Sequence, residues 1–125
     1  HGSFSQSEMK LVTCISGKVM DIAVNLIADS ENFGKVYYQE LSEAKRSFVI
    51  PKGYGHAFQA LTDDCTLIYH HNVIYEPADQ LNVSLQSPLF RVQLPLPVGQ
   101  ASDKDRNSVR IIDMEQFQGL MRCHT

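Results

Sequence analysis

From Lys10 to Leu94 the chain is written in short β-prone runs, each closed by a turn signal within about eight to twelve residues, and this spacing restricts the architecture severely. Leu11, Val12, Cys14 and Ile15 form a first run that Ser16-Gly17 closes. Over Lys18 to Ile27, a period of two puts Met20, Ile22, Val24 and Leu26 on one face, read as the packing face, and Val19, Asp21, Ala23 and Asn25 on the other. The acid at position 21 then either meets solvent or lies inside with a hydrogen-bonding partner, because an unpaired buried charge costs too much. Asp29 to Gly34 is a polar turn, Lys35 to Leu41 is a further β-prone run, and Ser42 to Arg46 is a charged connection into Phe48 to Ile50. After Thr62-Asp63-Asp64, a strand is expected over Cys65 to Tyr75, with Leu67, Tyr69 and His71 on one face and Ile68 and His70 on the other. Pro77 ends it. Short strands are expected at Leu81 to Leu85 and Phe90 to Leu94, an irregular exit through Pro95, Pro97 and Gly99, and a short outer helix over Ile111 to Met121. Many short strands with at most one short helix argue for a single all-β sandwich or barrel spanning residues 1–125.

Composition narrows the function classes. With 125 residues, 43% of them hydrophobic, the chain is large enough for one core but not for two. A formal charge of -3 and scattered Lys and Arg leave no basic stripe, so no nucleic-acid partner is expected. No apolar run approaches the roughly 18 to 20 residues that span a bilayer, and no signal-type segment opens the sequence, so no membrane partner and a cytoplasmic location are expected. Cys14, Cys65 and Cys123 are widely spaced with no zinc or redox pairing and read as free thiols, two of them in strands. The first residue is His1 rather than Met, so His1-Gly2-Ser3 reads equally as a tag remnant or as the point where a longer protein was cut.

The stretch Ile50-Pro51-Lys52-Gly53-Tyr54-Gly55-His56-Ala57-Phe58-Gln59-Ala60-Leu61 is the first place to expect a site. Its two glycines allow a tight turn that aims His56 inward. A plain hairpin with a core histidine is the competing reading. No phosphate-binding Gly-rich loop, Gly-x-Ser-x-Gly elbow or paired-Cys motif is present. What remains is His1, His56, His70 and His71 with Tyr69, Tyr75, Lys10, Asp21 and Asp105. Imidazole as base, phenol as acid and ammonium as a holder of a developing oxyanion suit proton transfer. His56 with His70 or His71 as metal ligands is the rival, although the tight His-x-His plus Glu cluster of metal-binding cupins is missing.

Taken together, Lys10-Leu11-Val12, Gly17, Met20-Asp21-Ile22-Ala23-Val24, Ser30 with Phe33-Gly34, Leu41-Ser42, Ile50 to Phe58, Tyr69, Tyr75 with Pro77, and Lys104-Asp105 resemble the dTDP-4-dehydrorhamnose 3,5-epimerases in order and spacing, to about residue 106. The resemblance implies a cupin-like double-stranded β-helix, or jelly-roll, barrel. It also implies a homodimer that epimerises a nucleotide-linked 4-keto-6-deoxy sugar with no metal or cofactor.

In such chemistry the 4-keto group acidifies C3–H and C5–H, a base removes a proton, a cation holds the enolate, and an acid returns a proton to the opposite face. Carried over by resemblance, Tyr69 is the acid and Lys10 the cation near the sugar oxygens. His56 lines the pocket with Asp21 as its carboxylate partner, and Tyr75 is a second, binding tyrosine. The base position falls nearly on His1, one residue closer to Lys10 than expected, with Asp105 as its orienting carboxylate. Four features depart from the family pattern: the phosphate-binding arginine and the leading segment have no counterpart in this sequence, His70-His71 replaces a Lys and a small residue, and Asn25 replaces an aspartate. A catalytically silent cupin that binds a sugar nucleotide, or a related ketoisomerase, is the alternative.

Overall fold

The computed structural model describes residues 2–4, 9–43, 45–72, 87 and 92–97. Those residues form seven strands: β1 (Gly2–Phe4), β2 (Lys10–Ser16), β3 (Lys18–Asn25), β4 (Val36–Ser42), β5 (Ser47–Ile50), β6 (Tyr54–Ala60) and β7 (Thr66–His71). They pair into a four-stranded sheet in the order β1-β6-β3-β4 and a three-stranded sheet in the order β5-β2-β7. Every pairing is antiparallel. No described helix is long and apolar enough to cross a membrane.

The chain repeatedly changes sheets, and Gly17 and Gly53 stand at two of those changes. Between β2 and β3, Gly17 takes a φ of 76°, and a Cβ there would meet the Asp64 carbonyl oxygen and come 2.7 Å from Thr62 Oγ1. Between β5 and β6, Gly53 takes a φ of 83°, and its carbonyl accepts a hydrogen bond from Leu26 N at 3.1 Å. The hairpin reading of this second stretch is therefore wrong. β5 pairs with β2 and β6 pairs with β1 and β3, so Pro51 to Gly53 is a crossover between sheets. Pro51 has no N–H for a ladder, and the left-handed Gly53 turns the backbone toward the end of β3.

Alternation sets which side chains face the interior. On β2 the buried residues are Lys10, Val12 and Cys14. Val12, Cys14, Val19, Ala23, Leu41 and Ile50 form the core, with Tyr37, Phe48, Tyr54, Leu67 and Tyr69 packed against it. The interior side of β3 is thus the Val19-Asp21-Ala23-Asn25 side, the opposite of the packing face expected from periodicity. The expectation failed because both faces are covered: Ile22 and Val24 are buried as well. Residues 92–97 make hydrogen bonds on that outer face. Gln93 N donates to Tyr38 Oη at 3.0 Å, Leu96 N donates to Gln59 Oε1 at 3.0 Å, and Gln59 Nε2 donates to the Leu96 carbonyl at 2.8 Å. These side-chain bonds take up backbone groups that a ladder would use, and Val92 to Leu94 form no strand, contrary to expectation.

Cys14 lies in β2, whereas Cys65 stands just before β7 rather than in it, and both are free thiols. The expected strands over Leu81 to Leu85, the helix over Ile111 to Met121 and Cys123 lie outside the described residues.

Candidate active site

Register brings Asp21 and His56 together. In the β3–β6 ladder Ala23 pairs with His56 and Asp21 with Phe58, so Asp21 and His56 are diagonal neighbours on the inner face. His56 Nε2–H donates to Asp21 Oδ1 at 2.6 Å, with both residues buried, at 3% and 0% exposure. This is the inside-with-a-partner alternative that the sequence allowed. The bond fixes the imidazole's orientation and tautomer, as a carboxylate partner does for functional histidines. Among the described residues, Asp21 Oδ2 has no hydrogen-bond partner, so the pair is polar but not fully satisfied.

Tyr69 reaches the same place from the other sheet. Its ring meets His56 edge-on, with centroids 5.7 Å apart and planes at 75°. Burial first, and the nearby Asp21 charge second, hold its phenol well above the ordinary tyrosine range, so it stays protonated at neutral pH. Phe58 lies beside His56 as well, at 6.4 Å between centroids.

Lys10 and His71 complete the wall on the three-stranded sheet. In the ladders Lys10 pairs with Ile50 on one side and His71 on the other, while Val12 pairs with Tyr69. Lys10 and Tyr69 are therefore diagonal neighbours on the inner face. A lysine at a strand start is ordinarily exposed, but Lys10 is only 9% exposed, because its β2 position points inward. His71 is exposed, and its ring lies 6.0 Å from that of Tyr69. His70 alternates to the other face and is exposed there.

The structure thus brings together four of the expected site residues, Lys10, Asp21, His56 and Tyr69. His1, Tyr75 and Asp105 lie outside the described residues. β1, which follows residue 1, pairs along β6 with Ser3 opposite His56. No group of three metal-ligating side chains occurs among the described residues, and His56 Nε2 is engaged by Asp21. His71, a candidate in the sequence without a defined role beyond that of rival metal ligand, and Phe58, which has none there, both lie at this site. The signal for both was present in the period of two, which puts positions 69 and 71, and likewise 56 and 58, on one face.

Chemically, the set offers a protonated phenol, an ammonium and a fixed imidazole around a common interior. An all-β, two-sheet scaffold with polar groups turned inward in this way is a cupin-like jelly roll, the fold of its structural neighbours. A family model described as dTDP-4-dehydrorhamnose 3,5-epimerase matches residues 1–113, and the chain belongs to that family. It is 33% identical over 109 residues to the dTDP-4-dehydrorhamnose 3,5-epimerase of Shigella flexneri, covering 86% of this chain and 60% of the relative. A relative of the same description from Methanothermobacter thermautotrophicus is 33% identical over 111 residues, covering 86% of this chain and 60% of the relative. Among solved structures, the Legionella pneumophila dTDP-6-deoxy-D-glucose-3,5-epimerase, in complex with dTDP-4-keto-L-rhamnose, superposes with a TM-score of 0.82 at 31% identity. The match covers 90% of this chain and 63% of that one. The chain therefore spans about three fifths of the length of these relatives.

Proposed function

We propose that the chain epimerises a nucleotide-linked 4-keto-6-deoxy sugar at C3, C5 or both, by removing a proton from one face and returning one to the other. The observation that carries this reading is the convergence of Tyr69, Lys10 and the Asp21–His56 pair on one interior, in a chain of this family.

In the proposed cycle His1, oriented by Asp105, removes the proton α to the ketone. Lys10 holds the enolate oxygen, where a buried ammonium is worth more than one in water. Tyr69 delivers a proton to the opposite face. His56, held by Asp21, lines the pocket without moving a proton, and Tyr75 binds the sugar nucleotide. No step in this cycle requires a metal or a redox group, because the ketone already on the sugar supplies the acidity.

The active form is proposed to be a homodimer. The outer face of the β5-β2-β7 sheet supports this: Val49 at 53% exposure, Ile15 at 44% and Ile68 at 40% lie there with Leu11. The proposed compartment is the cytoplasm, which the free thiols of Cys14 and Cys65 fit.

The test is hydrogen exchange. Incubation of the full chain with dTDP-4-keto-6-deoxyglucose in heavy water is expected to place deuterium at C3 or C5. Binding of the nucleotide sugar with no exchange would favour a silent binding cupin instead, and a moved carbonyl would favour a ketoisomerase.

A further inference from the structure

Tyr69 stands between two imidazoles of opposite character. His56, at 5.7 Å between ring centroids, is buried and has Nε2 tied to Asp21. His71, at 6.0 Å, is exposed and follows Tyr69 on the same face of β7. The buried imidazole is closed off and locked, whereas the exposed one reaches solvent.

We propose that His71 is the relay that returns a proton to Tyr69 between turnovers, a role that rests on the epimerase reading above. An inversion that takes a proton on one face and gives one on the other leaves the base with an extra proton and Tyr69 as phenolate. The next turnover cannot begin until both are reset. His56 is badly placed for that task, since Asp21 holds its Nε2–H and neither side chain meets solvent. His71 is placed for it: its ring lies 6.0 Å from that of Tyr69 and it is exposed, so solvent can carry a proton between the two groups. The N–H bond of its imidazolium form breaks as the phenol O–H bond forms, the neutral imidazole takes a proton from water or buffer, and the protonated base gives its extra proton back to solvent, so each turnover is proton-neutral. No oxidant or reductant is involved. A phenol that the fold holds strongly in its protonated form makes a phenolate eager to accept. Among the described residues, Lys10 lies cross-strand from His71 on this face, with Asp21 and His56 beyond Tyr69.

The test uses quenched-flow kinetics of the full chain and two variants, His71→Gln and His71→Ala, so that a folding failure in one leaves the other to decide. Wild type is expected to form product linearly. Each variant is expected to complete a first turnover at the wild-type rate and then slow by about tenfold or more, with kcat/KM unchanged and KM therefore falling in step with kcat. Added imidazole is expected to restore the His71→Ala steady state. Variants that turn over like wild type, a raised KM with unchanged kcat, or a loss that imidazole does not relieve would overturn the relay while leaving the epimerase reading intact. A wild-type chain that exchanges no hydrogen would overturn both.

Discussion

At the scale of single residues, the Asp21–His56 bond is where fold and chemistry meet. A buried carboxylate that loses its partner, or an imidazole that loses its carboxylate, leaves an uncompensated polar group. Asp21→Ala is accordingly expected to lower unfolding free energy by about 3 to 5 kcal/mol, read from denaturant unfolding. A loss under about 1 kcal/mol would mean that the pair is not buried as described. Tyr69 gives a second prediction, with a definite sign. Its folded pKa is raised, so the fold favours the protonated phenol. Its contribution to stability is complete below the ordinary tyrosine value of about 10 and is lost as pH rises above that toward the folded value. Comparing alkaline unfolding of wild type and Tyr69→Phe should therefore show no pH-dependent difference below about pH 10, and a wild-type loss above it. Stability falling near neutral pH in wild type alone would contradict the burial of this phenol.

At the scale of elements, the crossover from β5 to β6 decides where His56 points. The Gly53 φ of 83° is open to glycine and strained for other residues, and a Cβ there would come 2.7 Å from Ile27 Cγ1. Gly53→Ala is expected to cost about 1 to 2 kcal/mol by denaturant unfolding, with Ile27 shifting to make room. An unchanged midpoint would place the turn in another conformation. The two glycines of this stretch were legible from sequence, and so was the inward aim of His56. The partner strands were not. Local pattern reports that Phe48 to Ile50 and Tyr54 to Ala60 are both strands, but which strand each pairs with depends on contacts far along the chain. For the same reason the period of two points to the wrong interior face for β3. Residues 92–97 bond to Tyr38 and Gln59 on the outer face, where Ile22 and Val24 are buried too, and periodicity cannot rank two faces that are both covered. Asp21 was nonetheless matched to His56 through the family resemblance, which carried information that alternation lacks.

At the scale of the whole molecule, two sheets, between which Gly17 and Gly53 carry two of the crossings, enclose an apolar core with Lys10, Asp21 and His56 buried beside it, while the three-stranded sheet leaves Val49, Ile15 and Ile68 outside. If that outer face is the dimer surface, Ile68→Glu should halve the mass measured by light scattering, since a charge there must lose its water on association. A wild-type chain that is already monomeric at micromolar concentration would remove the homodimer from the account.

The central claim is that Tyr69 gives the proton that completes inversion, and it is tested by Tyr69→Phe in heavy water with dTDP-4-keto-6-deoxyglucose. The account predicts that deuterium still enters the sugar, because the base and Lys10 are untouched, while net inversion at the exchanging carbon is lost. Inverted product formed at the wild-type rate by Tyr69→Phe would contradict it.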